Sequence, residues 1–262
     1  MTIEKPKWWK TQHITNNNGY KYNGKLAVQG LVIHSTAWPG KDAQGIFEYF
    51  NSPNCTASIH GALDDAEFIQ TMPFDKVAGH VGFGKNGSYN GTHLGIEICE
   101  PFGLTYNFNG SAIVLYKPPK GYFTAVRDKA IHLFAYLCEL YELDPLRAIV
   151  SHYEAHAFGH GSNHADIRHW WEVWENYTMD DFRRDVKEYM EGNMFTYEQF
   201  KEYAQRYEKE TQDKPVSGWA QLSWESAIAA GVVDGTMPKS AMTREQVVTV
   251  LDRLGHFPKA EK

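Results

Sequence analysis

Residues 149–171 of this chain read IVSHYEAHAFGHGSNHADIRHWW, and this stretch decides how the rest of the sequence is interpreted. It opens with β-branched residues and continues as a long polar segment, so we predict a strand that ends at His152 and leads into a loop. Imidazole and carboxylate groups in such a place are typical of a metal site. The stretch carries five of the twelve histidines: His152, His156, His160, His164 and His169.

This loop has a plainer interpretation as well. Histidine-rich loops often contact only water or their own neighbours. The spacing of His152 and His156 is weak evidence by itself, because it lacks the glutamate of the H-E-x-x-H helix motif. A metal site therefore needs a further histidine from elsewhere in the chain.

His34 is the candidate for that second histidine. Residues 26–34, LAVQGLVIH, form an apolar, β-rich run that predicts a buried strand, and the following STAWPG predicts a loop. His34 then lies at the carboxyl end of a strand, where ligand sites of open α/β sheets gather. The alternative is a histidine that only packs in the core.

Glu97 lies inside a third apolar run, LGIEIC at residues 94–99, which predicts a short strand. A carboxylate within such a strand is costly unless it lines a site. The alternative is an outward-facing side chain on an amphipathic strand. Residues 78–92 before this strand hold five glycines and two asparagines, which predicts a long loop without the Gly-Lys-Ser/Thr of a phosphate-binding loop.

Several further segments have clear periodicity. Residues 124–143 are the strongest helix prediction, and Asp144-Pro145 ends it. Residues 56–64 and 67–72 predict a hairpin, and residues 179–190 predict another helix.

The character of the chain changes near residue 193. Thr196-x-x-Gln199 and Thr243-x-x-Gln246 match helix capping boxes, and residues 219–230 predict a helix that Gly231 closes. We therefore predict one domain over residues 1–192 and a small helical module over residues 193–262. The alternative is a loose helical extension packed on the first domain.

Composition excludes several classes of protein. The net charge of −6 gives no indication of a nucleic-acid partner. The three cysteines lack a C-x-x-C pair, which argues against a disulfide framework or a cysteine zinc site. No apolar window reaches about 18 residues, so no membrane insertion is expected. No apolar stretch follows the basic residues near the N-terminus, which predicts that there is no signal peptide.

Four separated motifs now fall in one order: His34 at a strand end, LGIEI at residues 94–98, His152 at a second strand end, and NHAD at residues 163–166. Together they resemble the zinc-dependent N-acetylmuramoyl-L-alanine amidases of the type-2 amidase family. This family shares its fold with peptidoglycan recognition proteins and phage amidase lysins. The resemblance covers roughly residues 25–175. It implies an α/β (α+β) fold in which helices flank a mixed central β-sheet, with Zn²⁺ in a surface groove.

The resemblance also implies a set of zinc ligands. His34 and His152 match the two histidine ligands, and Asp166 matches the third. The family often has Lys-x-Asp-Pro at the third ligand, whereas this chain has His164 and Ile167 in place of the lysine and the proline. The sequence SNHAD…HWW in this region resembles the one found in clostridial and related phage amidases. Three histidines remain alternatives to Asp166: His156, His160 and His164.

The resemblance implies catalytic roles too. Glu97 matches the general base, and His164 occupies the position of the lysine that stabilises the oxyanion. His80, in AGHVGFG, matches a substrate-binding histidine. The bond cut would join the lactyl group of N-acetylmuramic acid to the L-alanine of the stem peptide.

The tail resembles one shortened S-layer-homology motif, which implies binding to the cell wall or self-association as a homodimer. The residues that carry this likeness are Trp219, Trp224, Ala227, Gly231, Asp234-Gly235, Pro238 and Thr243-Arg244-Glu245. Such motifs usually occur in several copies. An amidase domain, this tail and no signal peptide predict an endolysin of a Gram-positive host, cytoplasmic until lysis. A bacterial autolysin would normally need an export signal.

Two other classes of protein stay open at this point. One is a non-catalytic peptidoglycan recognition protein of the same fold, which usually lacks a zinc ligand. The other is a zinc hydrolase that cuts elsewhere in the polymer, such as a peptidase within the stem peptide or a deacetylase. Some proteins of this fold recycle anhydro-muropeptides, and a wall-binding tail speaks against that role.

Overall fold

The computed structural model of the chain forms two compact units, Met1–Tyr197 and Glu198–Lys262. The structure describes residues 2–18, 24–106, 112–114, 119–192, 197–212 and 214–253.

A six-stranded mixed sheet forms the centre of the larger unit, with strand order β1-β4-β3-β5-β2-β8. The β3–β4 pair is antiparallel, and the other neighbours are parallel. Helices flank this sheet, so the predicted fold class is confirmed. Two further strands, β6 and β7, pair as a separate hairpin. The strands are β1 (Trp9–Thr11), β2 (Gly30–Ser35), β3 (Gly61–Leu63), β4 (Phe68–Gln70), β5 (His93–Ile98), β6 (Leu104–Tyr106), β7 (Ala112–Val114) and β8 (Ile149–Ser151).

The helices follow the predicted periodicity closely. The longest, α2, starts two residues before the predicted range and ends at Leu140. Asp144 then caps the short α3 through its carboxylate, which accepts from the Leu146 N–H. The helices of the larger unit are α1 (Ala43–Phe50), α2 (Tyr122–Leu140), α3 (Pro145–Ala148), α4 (His152–Ala157), α5 (Arg168–Glu175) and α6 (Met179–Met190).

The two faces of the central sheet bury different side chains. On β2, Leu31 and Ile33 belong to the large hydrophobic core that α2, α5 and α6 complete. Val32 points to the other face and joins a small cluster with Val81 and Val150. Because side chains alternate along a strand, His34 shares the face of Val32 and lies away from the large core.

The prediction that His152 ends a strand is wrong in detail. Strand β8 ends at Ser151, and His152 is the first residue of helix α4. Ser151 and Glu154 form a capping box, in which the Ser151 hydroxyl accepts from the Glu154 N–H and the Glu154 carboxylate accepts from the Ser151 N–H. The sequence carries this signal as S-x-x-E, but the β-branched run before it favoured a longer strand.

A buried polar network joins the end of β2 to helix α5. The Glu100 carboxylate accepts from the Ser35 hydroxyl at 2.6 Å and from His169 Nε2 at 2.8 Å. The indole N–H of Trp170 donates to Ser35 Oγ at 2.9 Å. All of these groups are shielded from water, so each depends on its partners for hydrogen bonding. The network holds helix α5, which follows the predicted zinc ligand Asp166, against strand β2, which carries His34.

The described residues from 197 onward form three α-helices, α7 (Tyr197–Gln212), α8 (Gln221–Ala229) and α9 (Arg244–Arg253), and all but the first residue of α7 lie in the smaller unit. The predicted capping box of α9 is confirmed, because the Thr243 N–H donates to Gln246 Oε1 and the Gln246 N–H donates to Thr243 Oγ1. The predicted box at Thr196 falls on a residue outside the described ranges. Across the described part of the chain, no helix is both long and apolar enough to cross a membrane.

We expect the hydrogen-bond network at Ser35 to stabilise the folded state. Replacing Trp170, which is 2% exposed, by Phe removes the donor to Ser35 and leaves a smaller ring in the core. We expect the free energy of unfolding to fall by about 2 kcal/mol. Urea unfolding followed by circular dichroism measures the change. The matched control is Trp174→Phe on the same helix, where the side chain is 41% exposed and the expected loss is below about 0.5 kcal/mol. Equal losses in both variants would contradict the importance of the network.

Candidate metal centre

His34 is positioned by the middle of the sheet. It is the fifth residue of β2 and is almost completely buried. In the β2–β5 ladder, His34 lies directly beside Glu97. Neighbours in register on parallel strands point to the same face, so the imidazole and the carboxyl group face the same space. Burial lowers the pKa of the His34 imidazole, which favours its neutral form.

Helix α4 and the loop after it bring two further groups to His34. His152 lies in the first turn of α4, and the Tyr153 N–H donates to the Asp166 carbonyl, which ties the loop to this turn. The Nδ1 atoms of His34 and His152 are 3.1 Å apart. Asp166 Oδ2 is 3.3 Å from each of them. Among the described residues, these three are the group of histidine, cysteine and acidic side chains whose donor atoms could hold a metal ion together.

The triangle of donor atoms fits a tetrahedral zinc ion. Bonds of about 2.0–2.1 Å at tetrahedral angles place ligand atoms about 3.3 Å apart, which matches the observed separations of 3.1 and 3.3 Å. Two imidazoles and one carboxylate are also a donor set that zinc accepts.

Glu97 stands next to this triangle with an unused oxygen. Its Oε2 atom is buried and has no hydrogen-bond partner among the described residues. Burial, and then the charges of Asp166 and Glu100, raise the pKa of Glu97 well above its usual value. A carboxyl group with a buried, unpartnered oxygen and a raised pKa is suited to accept a proton.

The other predicted site histidines lie at different distances from the triangle. The ring of His164 stacks on that of His152 with centroids 4.5 Å apart, and its Nδ1 is 3.8 Å from Asp166 Oδ1. Its side chain is 57% exposed, so it stands at the open edge of the site. His156 contacts the Gly161 carbonyl, and His160 stacks on Tyr89. These three alternatives to Asp166 do not join the triangle.

His80 lies behind His34 and contacts it directly. Its Nδ1 is 2.9 Å from His34 Nε2, the ring nitrogen that does not face Asp166. Its Nε2 is 3.2 Å from the carbonyl oxygen of His93. Burial first, and then the nearby His34 and His60, hold the pKa of His80 well below its usual value. The substrate contact expected of His80 stays a prediction.

The glycine-rich loop at residues 78–92 packs against the histidine-rich loop. The Asn86 N–H donates to the Gly159 carbonyl at 2.7 Å, and the Ser162 N–H donates to the Val81 carbonyl at 2.9 Å. A side chain at Gly84 would place its Cβ 2.3 Å from the Gly159 carbonyl oxygen, so glycine is required for this approach. The sequence analysis predicted neither this packing nor a role for Ser162. The glycines of the loop were the signal that could have indicated the close packing.

Comparison with known proteins agrees with this geometry. The Amidase_2 family model, described as N-acetylmuramoyl-L-alanine amidase, matches residues 24–169. The amidase CwlH of Bacillus subtilis (strain 168) is 35% identical over 89 residues, which are 33% of this chain and 35% of CwlH. The chain therefore aligns with about a third of that relative's length.

Two solved structures share the fold. The hydrolase AmiA of Staphylococcus aureus, solved in complex with its ligand, has a TM-score of 0.56 at 19% identity, covering 74% of this chain and 90% of AmiA. The catalytic domain of XlyA has a TM-score of 0.50 at 23% identity, covering 68% of this chain and 98% of that domain. The family match spans more than half of the chain and contains the whole triangle and Glu97, so this protein belongs to the N-acetylmuramoyl-L-alanine amidase family.

Proposed function

We propose that this protein is a zinc-dependent peptidoglycan amidase, which hydrolyses the amide bond between N-acetylmuramic acid and the L-alanine of the stem peptide. The observation that carries the proposal is the convergence of the His34, His152 and Asp166 donor atoms beside the unpartnered Glu97 oxygen. Family membership supplies the substrate class, and the site supplies groups for hydrolysis.

His34, His152 and Asp166 would hold the zinc ion. When bound, zinc supplies a Lewis acid that polarises a carbonyl group and lowers the pKa of a water molecule. Three protein ligands are the number that hydrolytic zinc sites use. The three cysteines are buried thiols and take no part in this set.

Glu97 would move the proton. Its free Oε2 takes a proton from the attacking water and passes it to the nitrogen of the leaving L-alanine. The raised pKa of Glu97 serves the first half of this transfer, because a more basic carboxylate accepts the proton more readily. The partner-free oxygen means that no protein hydrogen bond has to break before the transfer.

His164 would stabilise the negative charge that develops on the carbonyl oxygen. Its ring stands at the open edge of the site, stacked on His152 and close to the Asp166 carboxylate. This position lets an N–H donate a hydrogen bond toward a substrate carbonyl.

The role of the whole protein follows from the substrate class. We assign the larger unit to catalysis and residues 193–262 to attachment to a Gram-positive wall or to dimerisation. The protein would act as an endolysin that is cytoplasmic until lysis and then reaches the wall. Exposed aromatic side chains Phe200, Tyr203 and Tyr207 line one face of α7 at helical spacing, and they are suitable contacts for a partner.

Digestion of purified Gram-positive peptidoglycan tests the proposed bond. We expect peptides that begin with L-alanine to be released, lost after treatment with a chelator and regained when zinc is added. Mass spectrometry identifies the new termini. Fragments cut within the peptide or the glycan would contradict the amidase assignment, and binding without any product would instead favour a recognition protein.

Three substitutions separate ligands from catalytic groups. Asp166→Asn should remove zinc, because the site loses its one charged ligand. Glu97→Gln and His164→Gln should keep zinc while turnover falls by at least about 100-fold. Metal content is measured by atomic emission on the same samples used for the assay. Zinc retained in Asp166→Asn and lost in His164→Gln would make His164 the third ligand.

Removal of residues 198–262 tests the second unit. The larger unit has its own hydrophobic core, so the truncated chain should fold and cleave soluble muropeptides at the rate of the full chain. Its binding to whole cell walls should fall, as measured by co-sedimentation. The same wall binding with and without these residues would exclude them from attachment.

A further inference from the structure

Both candidate histidine ligands use their second ring nitrogen in a hydrogen-bond relay that ends on a backbone carbonyl. The first relay runs from His34 Nε2 to His80 Nδ1 at 2.9 Å, and from His80 Nε2 to the His93 carbonyl at 3.2 Å. A carbonyl oxygen can only accept, so His80 Nε2 must carry a proton. In a neutral His80, Nδ1 then accepts, and His34 Nε2 must donate to it.

The second relay also ends on a backbone carbonyl, but it runs through a hydroxyl group in place of a second imidazole. His152 Nε2 is 3.3 Å from Ser162 Oγ, and this hydroxyl donates to the Val81 carbonyl at 3.2 Å. The hydroxyl has one proton, which the carbonyl uses, so Ser162 Oγ accepts from His152 Nε2. Each relay therefore places the proton of its histidine on Nε2 and leaves a lone pair on Nδ1.

We propose that His80 and Ser162 are positioning residues that hold His34 and His152 in the one tautomer able to bind a metal. This inference rests on the proposed zinc site and deepens it. A neutral histidine whose proton sat on Nδ1 would donate to Asp166, and that proton would occupy the place of the metal ion. With both protons on Nε2, the Nδ1 lone pairs of His34 and His152 and the Asp166 carboxylate face one point. Each Nδ1 is 3.3 Å from Asp166 Oδ2, so only a cation at that point can interact favourably with all three groups.

The surroundings of the relays are built to keep them in place. The Asn90 side chain accepts from the N–H groups of His80 and Val81 at 2.9 and 2.8 Å, which fixes the loop. A Cβ at Gly95 would lie 2.4 Å from His80 Cγ, so the ring packs directly on the bare backbone of β5. A Cβ at Gly82 would lie 2.7 Å from Ser162 Oγ in the same way.

Zinc affinity measured against a chromophoric chelator tests the inference. His80→Leu and Ser162→Ala each remove one acceptor, and we expect each to weaken zinc binding by about 10- to 100-fold. His80→Asn is the matched rescue, because Asn has nearly the shape of Leu but can accept from His34 Nε2. His156→Leu is the control for loss of a histidine outside the relays, and its affinity should equal that of the wild type. Wild-type affinity in folded His80→Leu and Ser162→Ala would overturn the proposal.

A spectroscopic measurement on the unaltered, metal-free chain gives a second test. Long-range ¹H–¹⁵N correlation spectra at alkaline pH, where histidines are neutral, report which ring nitrogen carries the proton. We expect Nε2–H for His34, His80 and His152. Nδ1–H in His34 or His152 would overturn the proposal, whether or not any variant folds.

The two tests distinguish failure of the relays from failure of the proposed function. Suppose that the substitutions weaken zinc binding, but the wild type releases no peptides that begin with L-alanine. This result would support the relays and contradict the proposed reaction. No zinc binding by the wild type would contradict the proposed zinc chemistry. The tautomers in the metal-free spectra would then still support or overturn the relays.

Discussion

The convergence of three electron-pair donors on one point is the constraint on which the rest of this structure depends. His34 Nδ1, His152 Nδ1 and Asp166 Oδ2 lie 3.1–3.3 Å apart in a partly buried space, where like partial charges repel strongly unless a proton or a cation lies between them. The sheet makes this approach unavoidable, because β2 lies between β5 and β8. His34 therefore has Glu97 on one side and the chain leading into His152 on the other.

The fold separates this polar cluster from the forces that stabilise the sheet. One face of β2 and β5 packs against α2, α5 and α6, and supplies most of the buried apolar area. The other face holds the site, a small apolar cluster and, over β3 and β4, a second buried cluster that α1 completes. The carboxyl oxygen of Glu97 without a hydrogen bond is costly on this second face. The large core on the first face stabilises the sheet enough to tolerate that cost, as enzymes commonly do at their sites.

Much of the fold could be predicted from the chain because its signals are local, and the triangle could be predicted from the resemblance to a known family. The apolar runs at β2 and β5, the periodicity of α2, and the order of His34, Glu97, His152 and Asp166 are all readable in the sequence. The contact of His34 with His80 was not readable, since it joins residues 46 positions apart through tertiary packing alone. The Ser162 relay depends in the same way on how two loops meet. The start of α4 was readable as a capping box, but the β-branched residues before it outweighed that signal.

The two proposed relays explain the positions of two glycines, which secondary-structure propensity does not. Glycine weakens a strand interior, yet Gly95 lies in the middle of β5. The His80 ring occupies the space that a side chain at residue 95 would need. In the proposed relay, this ring requires His34 to carry its proton on Nε2. Gly82 stands in the same relation to Ser162 and His152. Two glycines that look like loop and strand defects thus provide the room in which both relays form, and the proposed tautomers of His34 and His152 depend on that room.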